Sequence, residues 1–102
     1  MNVTVIVVPF EAPGLDFKKK NDVRTAVNYF QGMNQRFSVD NTITLGSADL
    51  YTKAIASAPD TVKATLLFLR MKSNGKVLDL TKTFTEQKIL DNAFINIEVL
   101  VN

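Results

Sequence analysis

The chain has 102 residues, 46% of them hydrophobic, and a net charge of +2, which fits one folded domain and neither a disordered tail nor a strongly charged nucleic-acid surface. It has neither cysteine nor histidine, so disulfides, thiol nucleophiles and the commonest general base and metal ligand are absent. Its apolar runs are too short to span a bilayer and no apolar signal core follows a charged start, so the default setting is cytoplasmic.

Asn2 to Val8 reads as a strand, with Val3, Val5 and Val7 on one face and Thr4, Ile6 and Val8 on the other. Both faces are largely apolar, the pattern of a central strand. Pro9 and the Ala12-Pro13-Gly14 turn end it. Leu15 to Lys20 is expected to return as a second strand, with Leu15 and Phe17 facing one way and Asp16 and Lys18 the other; its lysines would guard a sheet edge. An amphipathic helix follows, capped by Asn21 or Asp22. Its stripe is Val23, Ala26, Val27 and Phe30, with Met33 or Asn34 next, and Gly32 marks its end or a kink.

Some two dozen residues, 38–61, then intervene, too many for a structureless loop in a small domain. Asn41 to Gly46 is expected to be a short extended piece. Ser47 is the expected cap of a second helix with Leu50, Tyr51, Ala54 and Ile55 on one face, and Pro59 ends it. No internal repeat is evident.

Ala64 to Lys72 reads as the third strand, Ser73-Asn74-Gly75 as a turn, and Lys76 to Leu80 as the strand pairing back across it. The final strand alternates most regularly. Ile95, Ile97, Val99 and Val101 share one face; Phe94, Asn96, Glu98 and Leu100 share the other.

The stretch 75–101 carries a family resemblance. It has the Gly75-Lys76 turn, Leu78 and Asp79 just after it, the run Lys82-Thr83-Phe84-Thr85-Glu86, then Ile89 and the alternating strand. In that order and ungapped spacing it resembles the C-terminal part of ubiquitin and ubiquitin-like domains. The resemblance implies an α+β, β-grasp fold: a mixed sheet of four or five strands packed on one main helix, with the first and last strands parallel at its centre. Residues 1–102 would form one such domain, with 38–61 as an insertion carrying the second helix. The stretch ends at Val101-Asn102 without a Gly-Gly tail, which implies a non-conjugating member. The strand positions of ubiquitin's recognition patch fall at Lys72, Asn96 and Glu98, all polar, so ordinary ubiquitin receptors are not expected to bind.

The leading candidate site is the sheet face away from the main helix. Taking Thr65, Leu67, Leu69 and Met71 as inward places Leu66, Phe68, Arg70 and Lys72 outward, beside Ile6, Val8, Phe94 and Leu100. An apolar surface of that kind marks a partner-binding site, with Phe68 as anchor and Arg70 and Lys72 at the rim. The competing reading is that the second helix folds across this face and buries it. The only basic run, Lys18, Lys19 and Lys20 with Arg24, is a solvated edge or a contact for nucleic acid or another anionic surface; no aromatic residues interleave with it. No catalytic constellation, cofactor motif or metal-ligand spacing stands out. The expected function is therefore a non-enzymatic protein–protein interaction module, an adaptor or scaffold domain whose partner is another protein or a second copy of itself.

Overall fold

The computed structural model describes residues 1–14 and 16–102. Five strands form one sheet: β1 (Asn2–Glu11), β2 (Gln35–Ser38), β3 (Leu66–Ser73), β4 (Lys76–Val77) and β5 (Ala93–Val101), in the order β2-β1-β5-β3-β4. The two strands with the strongest alternation lie together. β1 and β5 pair in parallel from Val3 opposite Ala93 to Glu11 opposite Val101, and β3 runs antiparallel along the other side of β5. Val3, Val5 and Val7 thus stand beside Ile95 and Ile97 on one buried face. Against that face pack Ala26 and Phe30 of α1 (Phe17–Phe30) and Leu50 and Ala54 of the short α2 (Leu50–Ile55). A single turn, α3 (Asp60–Lys63), adds Val62. A mixed five-stranded sheet grasping one main helix, with a second helix, is the α+β, β-grasp architecture that the resemblance implies.

The opening departs from expectation. Residues 16–20 are not an edge strand; the Leu15 part of that expectation lies outside the described residues. Asp16 is the N-cap of α1, its carboxylate accepting the Lys19 N–H at 2.9 Å, so neither Asn21 nor Asp22 caps the helix. Three successive lysines have no alternating face to bury, and lysine is a good helix former, so the run extends the helix backwards. The helix stops at Phe30, with Gly32 beyond it at φ +71°. The edge place is taken by β2, which follows the helix and pairs antiparallel with Asn2 to Val5. In sequence, α1 therefore stands between the two antiparallel strands β1 and β2, which no tight turn joins.

The β3–β4 turn follows its dipeptide. Asn74 and Gly75 both take positive φ, at 52° and 75°, as a two-residue hairpin turn requires. β4 is shorter than expected, because Asp79 leaves the ladder to build the next turn. Along β3 the register with β5 shifts between Phe68 and Arg70, a bulge with Leu69 as the extra residue. That shift decides which side chains face out.

Against the expectation of no internal repeat, two turns of the chain are copies of each other, sharing Asp-x-Thr-x-Thr at 40 and 79. Asp79–Ile89 repeats Asp40–Leu50 position for position. In each, one aspartate oxygen accepts both the N–H, at 2.9 Å, and the hydroxyl, at 2.6 Å, of the threonine two residues on, Thr42 or Thr81. In each, the next threonine's hydroxyl oxygen accepts an N–H three residues ahead, Ser47 to Thr44 and Glu86 to Thr83. Glu86 returns a bond to the Thr83 N–H and completes a capping box. Each copy buries the following apolar residue, Leu45 or Phe84, and each ends with a non-glycine at positive φ, Asp49 at 55° and Lys88 at 58°. The copies meet through an antiparallel bridge of Thr44 with Thr83, and the Leu45 N–H bonds the Lys82 carbonyl at 2.9 Å. Asn41–Gly46 is thus turn and bridge, not strand. Ser47 does not cap α2, whose N-cap is Asp49 without a side-chain bond. A Cβ at 46 would stand 3.0 Å from the Leu80 carbonyl oxygen, so a side chain there requires that backbone to give by a few tenths of an ångström.

These turns make stability depend on acid pH. The Thr42 hydroxyl, then its N–H, holds the Asp40 carboxyl below the ordinary value of 3.8, and Thr81 does the same for Asp79. A folded-state pKa below the unfolded one contributes stability that is fully present above 3.8 and is lost as pH falls through the folded value. Replacing both aspartates by asparagine keeps the acceptors but not the titration. Urea midpoints measured from pH 5 downward should fall less steeply below pH 3.8 in Asp40→Asn/Asp79→Asn than in the natural chain.

Candidate interaction surface

The face of the sheet opposite the helices is built in cross-strand rows. Register places Ile6, Asn96 and Lys72 in one row, Val8, Glu98 and Arg70 in the next, and Phe10, Leu100 and Leu67 in the last. Phe94 stands beside Thr4 at the opposite end. The last row, with Leu69 next to it, is an exposed apolar strip: Phe10 is 40%, Leu67 50% and Leu69 40% accessible. Phe94 is 59% accessible.

Between the apolar ends sits an ionic cluster. Arg70 Nε lies 2.5 Å from Glu98 Oε1, and Lys72 Nζ lies 3.8 Å from Glu98 Oε2. Glu98 is only 8% exposed on a face that no element of the described residues covers, and Arg70 and Lys72 across the strand lie over its carboxylate. One carboxylate thus pins two cations flat on the sheet and leaves the cluster a net positive charge.

The expected site residues separate into two groups. Ile6, Val8, Arg70, Lys72, Phe94 and Leu100 lie on this outer face. Leu66 and Phe68 do not. Leu66 pairs with buried Val101 and is itself buried; Phe68 pairs with buried Val99 and packs against the Tyr51 ring at 5.3 Å. The bulge is the reason. Counting inward residues back from Met71 assigns odd positions to the core, but the extra residue at Leu69 resets the parity. Leu66, Phe68 and Met71 all face in, and Leu67, Leu69, Arg70 and Lys72 face out. Phe10 also belongs to the surface, since β1 continues through Pro9 to Glu11. Extending the alternation Ile6, Val8, Phe10 would have found it.

The second helix does not roof this face. Leu50 and Ala54 are buried in the core on the other side, and Tyr51 reaches Phe68 there. Lys18, Lys19, Lys20 and Arg24 lie on the first turns of α1, all exposed, with no described carboxylate within ion-pair distance. No acidic residue occupies that first turn, so the lysines crowd the positive end of the helix dipole. Lys18→Glu should therefore raise stability, by about 0.3–1 kcal/mol, measured by urea denaturation at low salt.

No protein-family profile and no curated protein matches the sequence. Among solved structures, the chain is similar to the ubiquitin of Caldiarchaeum subterraneum, at 15% identity and a TM-score of 0.48, covering 100% of this chain and 95% of that one. No helix of the described residues is long and apolar enough to cross a membrane.

Proposed function

We propose that residues 1–102 are a non-enzymatic protein–protein interaction module, acting in the cytoplasm as an adaptor or as part of a larger scaffold, with the outer sheet face as its contact surface. The observation that carries this reading is the uncovered strip of Phe10, Leu67, Leu69 and Leu100 beside cations held in place by Glu98. An apolar centre with a fixed charged rim is the anatomy of a protein interface. The absence of any histidine or cysteine fits a module that binds and does no chemistry.

The test is affinity capture with the intact chain and with Leu67→Asp and Phe10→Asp, followed by reconstitution of any captured complex from purified components. Each aspartate should weaken binding by about 30-fold or more, the effect of losing a hot spot worth about 2 kcal/mol. Sedimentation of the chain alone reads self-association at the same face. A second reading rests on the exposed, unpaired Lys18, Lys19, Lys20 and Arg24, which suit nucleic acid or another anionic surface. It predicts binding that weakens steeply between about 50 and 200 mM salt and survives Leu67→Asp. Salt-insensitive binding excludes it.

A further inference from the structure

Where the two copied turns meet α2 and β3, a pocket of about 220 Å³ opens to solvent. α2 brings Leu50 and Tyr51 to it, and β3 brings Phe68 and Met71, which share a face three residues apart because of the bulge at Leu69. The first turn brings Leu45 and Asp49. Leu80 comes from the second turn and is held there by the Gly46 N–H, which donates to the Leu80 carbonyl at 2.9 Å. Burial sorts the lining. Leu45, Leu50 and Met71 are buried and form the base, whereas Tyr51 and Phe68 are half-buried and Leu80 is exposed, so these form the rim.

Asp49 is the one charged residue of that lining. It is exposed, makes no cap bond to α2, and has no described cation within ion-pair distance of its carboxylate. Its own N–H donates to the Gly46 carbonyl at 3.2 Å, with the backbone at φ 55°. An unpaired carboxylate thus stands beside an apolar hollow with two aromatic rings on its rim. Size and charge together select a ligand. An apolar cavity of about 150 Å³ takes a benzene ring, so this one has room for a ring and a short arm. It falls below the roughly 300 Å³ at which pockets for drug-sized ligands begin. The Tyr51 and Phe68 rings, 5.3 Å apart and tilted by 54°, offer an entering ring both edge and face contacts. The Asp49 carboxylate favours a cation at the end of the arm and repels an anion.

We propose that this pocket binds a small aromatic amine, a single ring carrying an ammonium on a short arm. The ring packs on Leu50, Met71 and Phe68, and the ammonium pairs with Asp49. The site lies on the helix side of the sheet and shares no residue with the outer-face contact, so the two can be tested independently.

The test titrates the full chain with 2-phenylethylamine and follows the backbone amide chemical shifts. Expected is saturable binding at or below about 1 mM, with the largest shifts at Gly46, Tyr51 and Leu80. 2-Phenylethanol, the neutral counterpart, should bind about threefold more weakly, the worth of one exposed ion pair, and phenylacetate, the anion, more weakly still. Asp49→Asn should weaken the amine by about the same threefold and leave the alcohol unchanged. That variant keeps the fold, because asparagine accepts a positive φ as aspartate does and the carboxylate makes no cap bond to lose. Leu80→Ala should weaken amine and alcohol alike, and Leu67→Asp should change neither. No saturation by about 1 mM, or largest shifts outside the pocket, overturns the proposal. Equal binding of amine and alcohol, or undiminished amine binding by Asp49→Asn, overturns the ligand class. The peptide Phe-Gly-Gly-amide carries the same ring and ammonium. Binding tighter than that of 2-phenylethylamine overturns the small-molecule assignment in favour of a chain N-terminus, and weaker binding supports it.

Discussion

Replacing Phe84 by alanine should remove about 3–5 kcal/mol of stability, a large part of the 5–15 kcal/mol that a domain of this size has. Phe84 is fully buried and follows directly on the Thr83 bridge to Thr44. The cavity would open where two turns meet, and neither turn has a regular ladder behind it to hold its shape. Their bonds are local: aspartate to threonine, and threonine to the backbone three residues on. What joins them is the Thr44–Thr83 bridge, the bonds from the Leu45 and Gly46 N–H groups to the Lys82 and Leu80 carbonyls and from the Thr85 hydroxyl to the Asn41 carbonyl, and a buried side chain from each turn, Leu45 and Phe84. Leu45→Ala should cost about 2–5 kcal/mol. Because both residues flank one bridge, the double variant should lose less than the sum, with a coupling of about 0.5–3 kcal/mol. Urea denaturation of the two single variants and the double one measures all three. A Phe84→Ala loss under about 1 kcal/mol would mean that the site collapses freely and that the turn pair does not anchor the sheet to α2.

What the sequence made legible follows from how many residues repeat one signal. β5 has four aliphatic residues on one face in strict alternation, and only a one-sided buried strand accounts for that. Asn74-Gly75 needs two positive φ angles, which few dipeptides accept. Leu50–Ile55 has its apolar residues at helical spacing within two turns. The α1 start was less legible for a physical reason: Asp16, Asn21 and Asp22 are all competent caps, and the alternation of 15–18 is too short to decide between strand and helix. Tertiary pairing of β2 with β1 settled it, and β2 is a four-residue strand with little pattern of its own. The bulge at Leu69 is one inserted residue, and alternation cannot reveal it. The cue that could have is charge. Glu98 needs a cation directly across β3, and Arg70 meets it only after the parity shift. The turn repeat was visible only as Asp-x-Thr-x-Thr at 40 and 79, three shared residues in otherwise different surroundings.

The same shift makes neighbouring substitutions behave in opposite ways. Phe68→Asp should unfold or severely destabilise the chain, by about 3 kcal/mol or more. It removes a packed ring from Tyr51 and places an unpaired carboxylate against Val99 and the core. Leu67→Asp, one residue earlier, should change stability by no more than about 0.5 kcal/mol, because Leu67 is half exposed and opposite Leu100 on the uncovered face. Partner binding should be lost in both, but for different reasons. In Phe68→Asp it should disappear together with the cooperative thermal transition. In Leu67→Asp it should disappear from a chain that melts normally. Thermal denaturation run beside the binding assay separates the two. If Phe68→Asp melts normally while Leu67→Asp unfolds, the strand faces the other way and the outer face must be redrawn around Leu66 and Phe68. If both fold and both still bind, the sheet face is not the contact surface, and the basic end of α1 becomes the surface to test.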